Sequence, residues 1–162
     1  MGNSLEITDD FRKLAENINV NYKGSSFNPF KFHKNQNGVQ VPVYFIGAPG
    51  LFTAIIATFI SVLFMIMFKL NISFWVWLIV LLISAFLLRI GMKIDKARQI
   101  RYFCNDLLIR SYNFMTKYNE SFDESLLIEI NNQLGEILKF IEDEIIVKQR
   151  SIVENLINKK GA

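Results

Sequence analysis

The sequence predicts an all-α membrane protein: a two-helix transmembrane hairpin with a short N-terminal helix before it and a C-terminal cytosolic helical hairpin after it. Three observations carry this. Hydrophobic residues make up 51% of the chain and are gathered in one block, while the charged 20% lies almost wholly outside it. The block is interrupted once, by Lys69, Leu70 and Asn71. Beyond it, apolar residues return at intervals of three and four, the period of an amphipathic helix.

The first uncharged run extends from Tyr44 to Phe68 and the second from Ile72 to Leu88. A helix needs roughly 20 apolar residues to cross about 30 Å of hydrocarbon. The first run exceeds this, and the second reaches it with Leu70 and Ile90 at its ends and Arg89 snorkelling. So short a separator makes the two helices antiparallel neighbours. The predicted organisation is a cytosolic arm and linker over 1–43, a transmembrane hairpin over 44–90 (spans 44–68 and 72–89) and a cytosolic helical hairpin over 91–162. The block starts too far along the chain, and is followed too closely by a second span, for a secretory signal. Met1-Gly2 lacks the Ser or Thr that myristoylation wants at position 6, where Glu6 stands.

Orientation follows from the basic residues. Arg89, Lys93, Lys96, Arg98 and Arg101 crowd the exit of the second span, Lys23, Lys31 and Lys34 precede the first, and the connecting loop has only Lys69. The positive-inside rule then puts both termini in the cytoplasm. Phe64, Phe68, Phe74, Trp75 and Trp77 cluster at the hairpin tip, while Tyr44, Phe45 and Phe52 lie toward the other interface. The net charge of +3 is small, and topology accounts for most of it, so no nucleic-acid partner is expected.

Small residues recur at a spacing of four along the first span, as Gly50, Ala54 and Thr58 and as Thr53, Ala57 and Ser61. In lipid, such stripes let a second helix approach closely. They serve either to close the hairpin or to seat it against another membrane protein. Ser84, Ala85 and Gly91 offer the matching positions near the second span. No Asp, Glu or Lys lies inside either span, so nothing marks an ion relay or substrate pathway.

In the arms, Thr8–Ile18 reads as a short amphipathic helix opened by Thr8, Asp9 and Asp10, with Phe11, Leu14, Ala15 and Ile18 on one face. Asn19–Gly38 has the Asn, Gly, Ser and Pro29 composition of a linker. After the second span, Ile94, Ala97, Ile100, Cys104, Leu107 and Ser111 continue the helix outward. A break follows at Asn119–Asp123, with Ser121 and Glu124 as a capping box. One helix is then expected over Asp123–Asn158. Its apolar stripe includes Ile130, Leu134, Ile137, Ile141 and Ile145, which face a partner helix: the preceding helix or a second copy. The acidic run Glu142, Asp143 and Glu144 reads as a solvated face of that helix.

The chain carries no catalytic constellation: no Gly-rich phosphate loop, no paired carboxylates beside a base and no nucleophile elbow. Cys104 and His33 are each the single residue of their type, so no thiolate metal cluster or disulfide is expected. No enzyme activity, cofactor or metal is predicted.

Residues 37–102 resemble the small two-span inner-membrane subunits of conjugative type IV secretion systems (the TraL, PrgI and TraF types). The resemblance rests on the segment Asn37-Gly38-Val39-Gln40-Val41-Pro42-Val43-Tyr44-Phe45-Ile46-Gly47 before the first span and on the basic exit Arg89-Ile90-Gly91-Met92-Lys93-Ile94-Asp95-Lys96. Those subunits are usually shorter, without this longer N-terminal arm or the C-terminal helices. The resemblance implies a non-catalytic structural subunit of the bacterial inner membrane. Pro42, Phe45 and Gly47 would set the approach to the membrane, and the helix from Lys93 onward would dock on a cytosolic partner. The partners implied are the lipid bilayer and other membrane subunits or a secretion ATPase, in a hetero- or homo-oligomer. The alternative expectation is an oligomerising two-span pore-forming effector of a bacterial defence or lysis system; a third is a plain anchor for a helical scaffold.

Overall fold

The structure is a computed structural model and describes residues 7–23, 32–36, 39–43 and 45–160. It is helical apart from one short pair of strands. The elements in order are α1 (Asp9–Lys23), β1 (Phe32–Gln36), β2 (Val39–Val43), α2 (Leu51–Lys69), α3 (Phe74–Ser121), α4 (Glu124–Leu138) and α5 (Glu144–Lys160). They sort into two compact units. One comprises residues 27–101, and the other residues 1–26 with 102–162.

In the first unit, β1 and β2 pair antiparallel, with Phe32 opposite Val43 and Gln36 opposite Val39. The linker expected over Asn19–Gly38 is therefore corrected at both ends: α1 continues to Lys23, and Phe32–Gln36 is a strand. Tyr44 lies outside the described residues. The first apolar helix begins at Leu51, not at the start of the uncharged run. Both α2 and the apolar part of α3 are long and apolar enough to cross a membrane, with mean hydropathy 2.6 and 2.3 over their most apolar stretches. Their contacts run in opposite order along the two helices. The first turn of α2 meets Asp95, while Phe64 near its far end stacks on Trp77 with ring centroids 5.4 Å apart.

The seam between them is narrow. Thr53, Ile60 and Met67 are buried on α2, spaced by seven; Ser84, Gly91 and Asp95 are buried on α3. Seven-residue spacing keeps one face of each helix toward the other, as in a coiled coil. Gly91 fits this closeness: a Cβ there would lie 2.8 Å from the end of the Ile56 side chain and 3.3 Å from the Thr53 Cα, so the side chain would have to turn aside and the backbone give slightly. Asn71, at φ 46°, takes the left-handed conformation that Asn tolerates, in the short connection between the two helices.

The second unit is a ring of four helices. Phe11 of α1 lies against Tyr112 of α3, Ser111 of α3 donates to Gln133 of α4, α4 packs along α5, and Gln149 of α5 donates to Thr8 just ahead of α1. Buried residues follow three-four spacing in each helix. They are Phe11 and Ala15, then Cys104, Leu108, Ser111, Met115 and Tyr118, then Leu127, Ile130, Leu134 and Ile137, then Ile146, Gln149 and Val153. That is the pattern of a bundle core. Burial pushes the Cys104 thiol up to about 11, so it stays protonated at neutral pH.

Two expectations about the helix ends need correction. Ser121 closes α3 with its hydroxyl donating to the Lys117 carbonyl, and the residue that caps α4 is Asp123, whose carboxylate accepts from Ser125 N–H at 3.0 Å. The single helix expected over Asp123–Asn158 is two helices. The chain turns after Leu138, and Asp143 Oδ1 accepts from Ile145 and Ile146 N–H at 2.9 and 3.2 Å. The acidic run is a helix start, where carboxylates offset the positive end of the helix dipole.

Candidate functional site: a carboxylate clamp on the first apolar helix

Helix α2 opens with Gly50-Leu51-Phe52-Thr53. The first N–H groups of any helix lack intrahelical acceptors, and the N-cap position here is a glycine with no side chain to supply one. The acceptor comes from Asp95, on α3. Its Oδ2 receives Gly50 N–H at 3.0 Å, Thr53 N–H at 2.8 Å and the Thr53 hydroxyl at 2.6 Å, and its Oδ1 receives Phe52 N–H at 3.1 Å. The carboxylate is fully buried. Burial alone would raise its pKa. The hydrogen bonds from Thr53, Phe52 and Gly50 outweigh that and hold it below the ordinary 3.8, so Asp95 is an anion at neutral pH.

One turn further along α3, Gln99 holds the segment before the helix. Its Oε1 accepts from Gly47 N–H at 2.7 Å, and its Nε2 donates to the Ala48 carbonyl at 2.8 Å. Ala48 N–H closes a turn onto the Phe45 carbonyl at 3.2 Å. Gly47 sits at the third position of that turn with φ 95°, a conformation open to glycine and strained for other residues. Arg98, between these two clamps in sequence, lies over the Phe52 ring, 5.1 Å from its centroid. Asp95, Arg98 and Gln99 together fix how the chain turns into α2.

Chemically the site is an anchor. Asp95 has both oxygens committed to donors, so it is not placed as a general base or a metal ligand. Among the described residues there is no group of three His, Cys, Asp or Glu that could hold a metal ion.

Of the small-residue stripes, Gly50 and Thr53 are buried at the clamp, and Ala57 is half-buried in the seam. Ala54, Thr58 and Ser61 are exposed. The Thr58 and Ser61 hydroxyls donate to the carbonyls of Ala54 and Ala57. Pro42 lies on β2 opposite His33, Phe45 is exposed, and Gly47 is held by Gln99. Arg89, Lys93, Lys96 and Arg101 are exposed, and Arg98 is half-buried. Ile130, Leu134 and Ile137 are sealed inside the four-helix unit, so their partner is the chain itself. Ile141 falls in the turn between α4 and α5 and is exposed, and Ile145 is half-buried in the first turn of α5.

Sequence reasoning missed Asp95 and Gln99, although a signal was present. Asp95 is the single acidic residue between Glu16 and Asp106, and the helix start at Gly50 carries no acceptor of its own.

Compared with known protein families, curated proteins and solved structures, the chain has no match.

Proposed function

We propose that this chain is a non-catalytic membrane-anchored docking subunit. In this reading α2 and the apolar part of α3 form a transmembrane hairpin with both arms in the cytoplasm, and the helical unit is the part offered to membrane or cytosolic partners. The sequence resemblance over residues 37–102 makes an inner-membrane secretion or conjugation machine the assembly proposed for it.

The observation that carries this is where apolar surface lies. Only 17% of the apolar stretch of α2 and 11% of that of α3 is buried. A core helix of a water-borne domain would be mostly covered, because each exposed Å² of apolar surface costs about 25 cal/mol in water. Phe59, Phe68, Phe74 and Trp75 are each at least 70% exposed. Lipid is the medium in which such a surface carries no penalty. The clamp supports the same reading, since a helix end at the edge of hydrocarbon must have its N–H groups satisfied by protein.

The pore-forming alternative needs a polar stripe for water. The exposed hydroxyls of α2 are already bonded to their own backbone, and their neighbours Ile55, Phe59 and Val62 are apolar. Full-length protein reconstituted into dye-loaded liposomes is therefore expected to leak no faster than empty vesicles. Rapid leakage that disappears in Thr58→Leu or Ser61→Leu would reverse the choice in favour of the pore.

A further inference from the structure

Between Glu16 and Asp106 the chain has nine Lys and Arg and a single carboxylate, Asp95. That carboxylate is buried and wholly engaged at the start of α2, so it neutralises none of its exposed basic neighbours. Elsewhere some cations are paired with acids on their own helix, as Arg110 is with Asp106 and Arg150 with Glu154. Along α3, by contrast, Arg89, Lys93 and Lys96 are exposed and, among the described residues, without a carboxylate partner. Their spacing of four and three puts them on one helix face. Like charges so placed weaken a helix, and an external anion relieves that repulsion.

The same face continues toward the other end of the helix as Phe86 and Leu82, which are 63% and 61% exposed. Read along one stripe, the helix presents apolar side chains and then three cations. That sequence of surfaces matches an acyl chain followed by a phosphate headgroup. We infer that Arg89, Lys93 and Lys96, continuous with Phe86 and Leu82, form a binding stripe for anionic phospholipid. The lipid phosphate takes the place of the carboxylate that Asp95 does not supply. This rests on the transmembrane reading proposed above and adds to it a preference for lipid charge.

The test uses the full chain reconstituted into nanodiscs of equimolar phosphatidylcholine and phosphatidylglycerol, then released into mild detergent, with retained lipid counted by native mass spectrometry. Phosphatidylglycerol should be enriched over phosphatidylcholine. Each cation removed from the stripe should weaken that enrichment by roughly fivefold, the factor for one basic residue at an anionic surface. The combined variant Arg89→Gln, Lys93→Gln, Lys96→Gln should lose it, and the control Lys139→Gln, Lys148→Gln, Lys159→Gln should keep it. No enrichment in the parent protein, equal enrichment in both triple variants, or displacement of the lipid by inorganic phosphate alone would overturn the inference. Insertion is read separately, by quenching of Trp75 and Trp77 by brominated acyl chains in pure phosphatidylcholine discs. Quenching with no lipid preference overturns this inference only. Absence of quenching overturns the transmembrane reading and this inference with it.

Discussion

Asp95→Ala is expected to cost about 3 kcal/mol or more, because it strands several donors at about 1–3 kcal/mol for each one left buried without an acceptor. Gly50, Phe52 and Thr53 would each keep an N–H with no acceptor at the start of α2, and the Thr53 hydroxyl would lose its partner as well. Thermal unfolding in mild detergent, with hydrogen exchange at residues 50–53, reads the effect: the variant should melt earlier and exchange faster there. Asp95→Asn keeps one acceptor oxygen and should fall between the variant and the parent. Acid gives an independent check. The folded pKa of Asp95 lies below its unfolded value near 3.8, so its stabilisation is complete above that value and is lost as pH falls through the lower folded one. Asp95→Asn should remove that part of the acid dependence. A parent-like melting curve for Asp95→Ala would show that the clamp contributes nothing to stability.

Leu134→Ala is expected to cost about 2–5 kcal/mol, the range for removing a buried leucine from a close-packed core. Leu134 is fully buried, within one turn of Ile130 and Ile137, which are equally covered. Ile128, on the same helix but 57% exposed, is the control, and Ile128→Ala should stay within about 0.5 kcal/mol of the parent. The comparison separates two roles for the α4 stripe. A core residue lowers the melting temperature when truncated, whereas a partner-facing residue leaves it unchanged and weakens only capture of the partner. The burial of Leu134 predicts the first outcome.

The parts of the fold that were legible from the sequence are those set by local pattern. Two uncharged runs split by Lys69-Leu70-Asn71 became α2 and the start of α3, and the apolar spacing beyond Arg89 became the continuation of α3. The turn after Leu138 was hidden because Ile137, Ile141 and Ile145 keep helical spacing across it. What breaks the helix in two is the Asp143 cap, which looks in sequence like an ordinary charged face. The clamp was hidden for a different reason. Asp95 and its partners are more than forty residues apart, and no periodicity links a carboxylate to a helix start at that distance. Similarly, the two small-residue stripes of α2 look alike in sequence. Which one closes the seam depends on the rotation of the helix, and that is set by Thr53 at Asp95 and by Gly91 against Ile56.

In the proposed reading the two apolar helices cross a bilayer as a hairpin with both arms on one side. Single-cysteine accessibility in intact cells tests it most directly. The native Cys104 is buried, with its thiol held protonated, so it adds little background before it is changed to Ser. A cysteine placed at Asn71 should react with a membrane-impermeant maleimide from outside, while cysteines at Thr8 and Ser151 should react only after the membrane is opened. Labelling of position 8 or 151 from outside, or protection of position 71 until the membrane is opened, would rule this topology out.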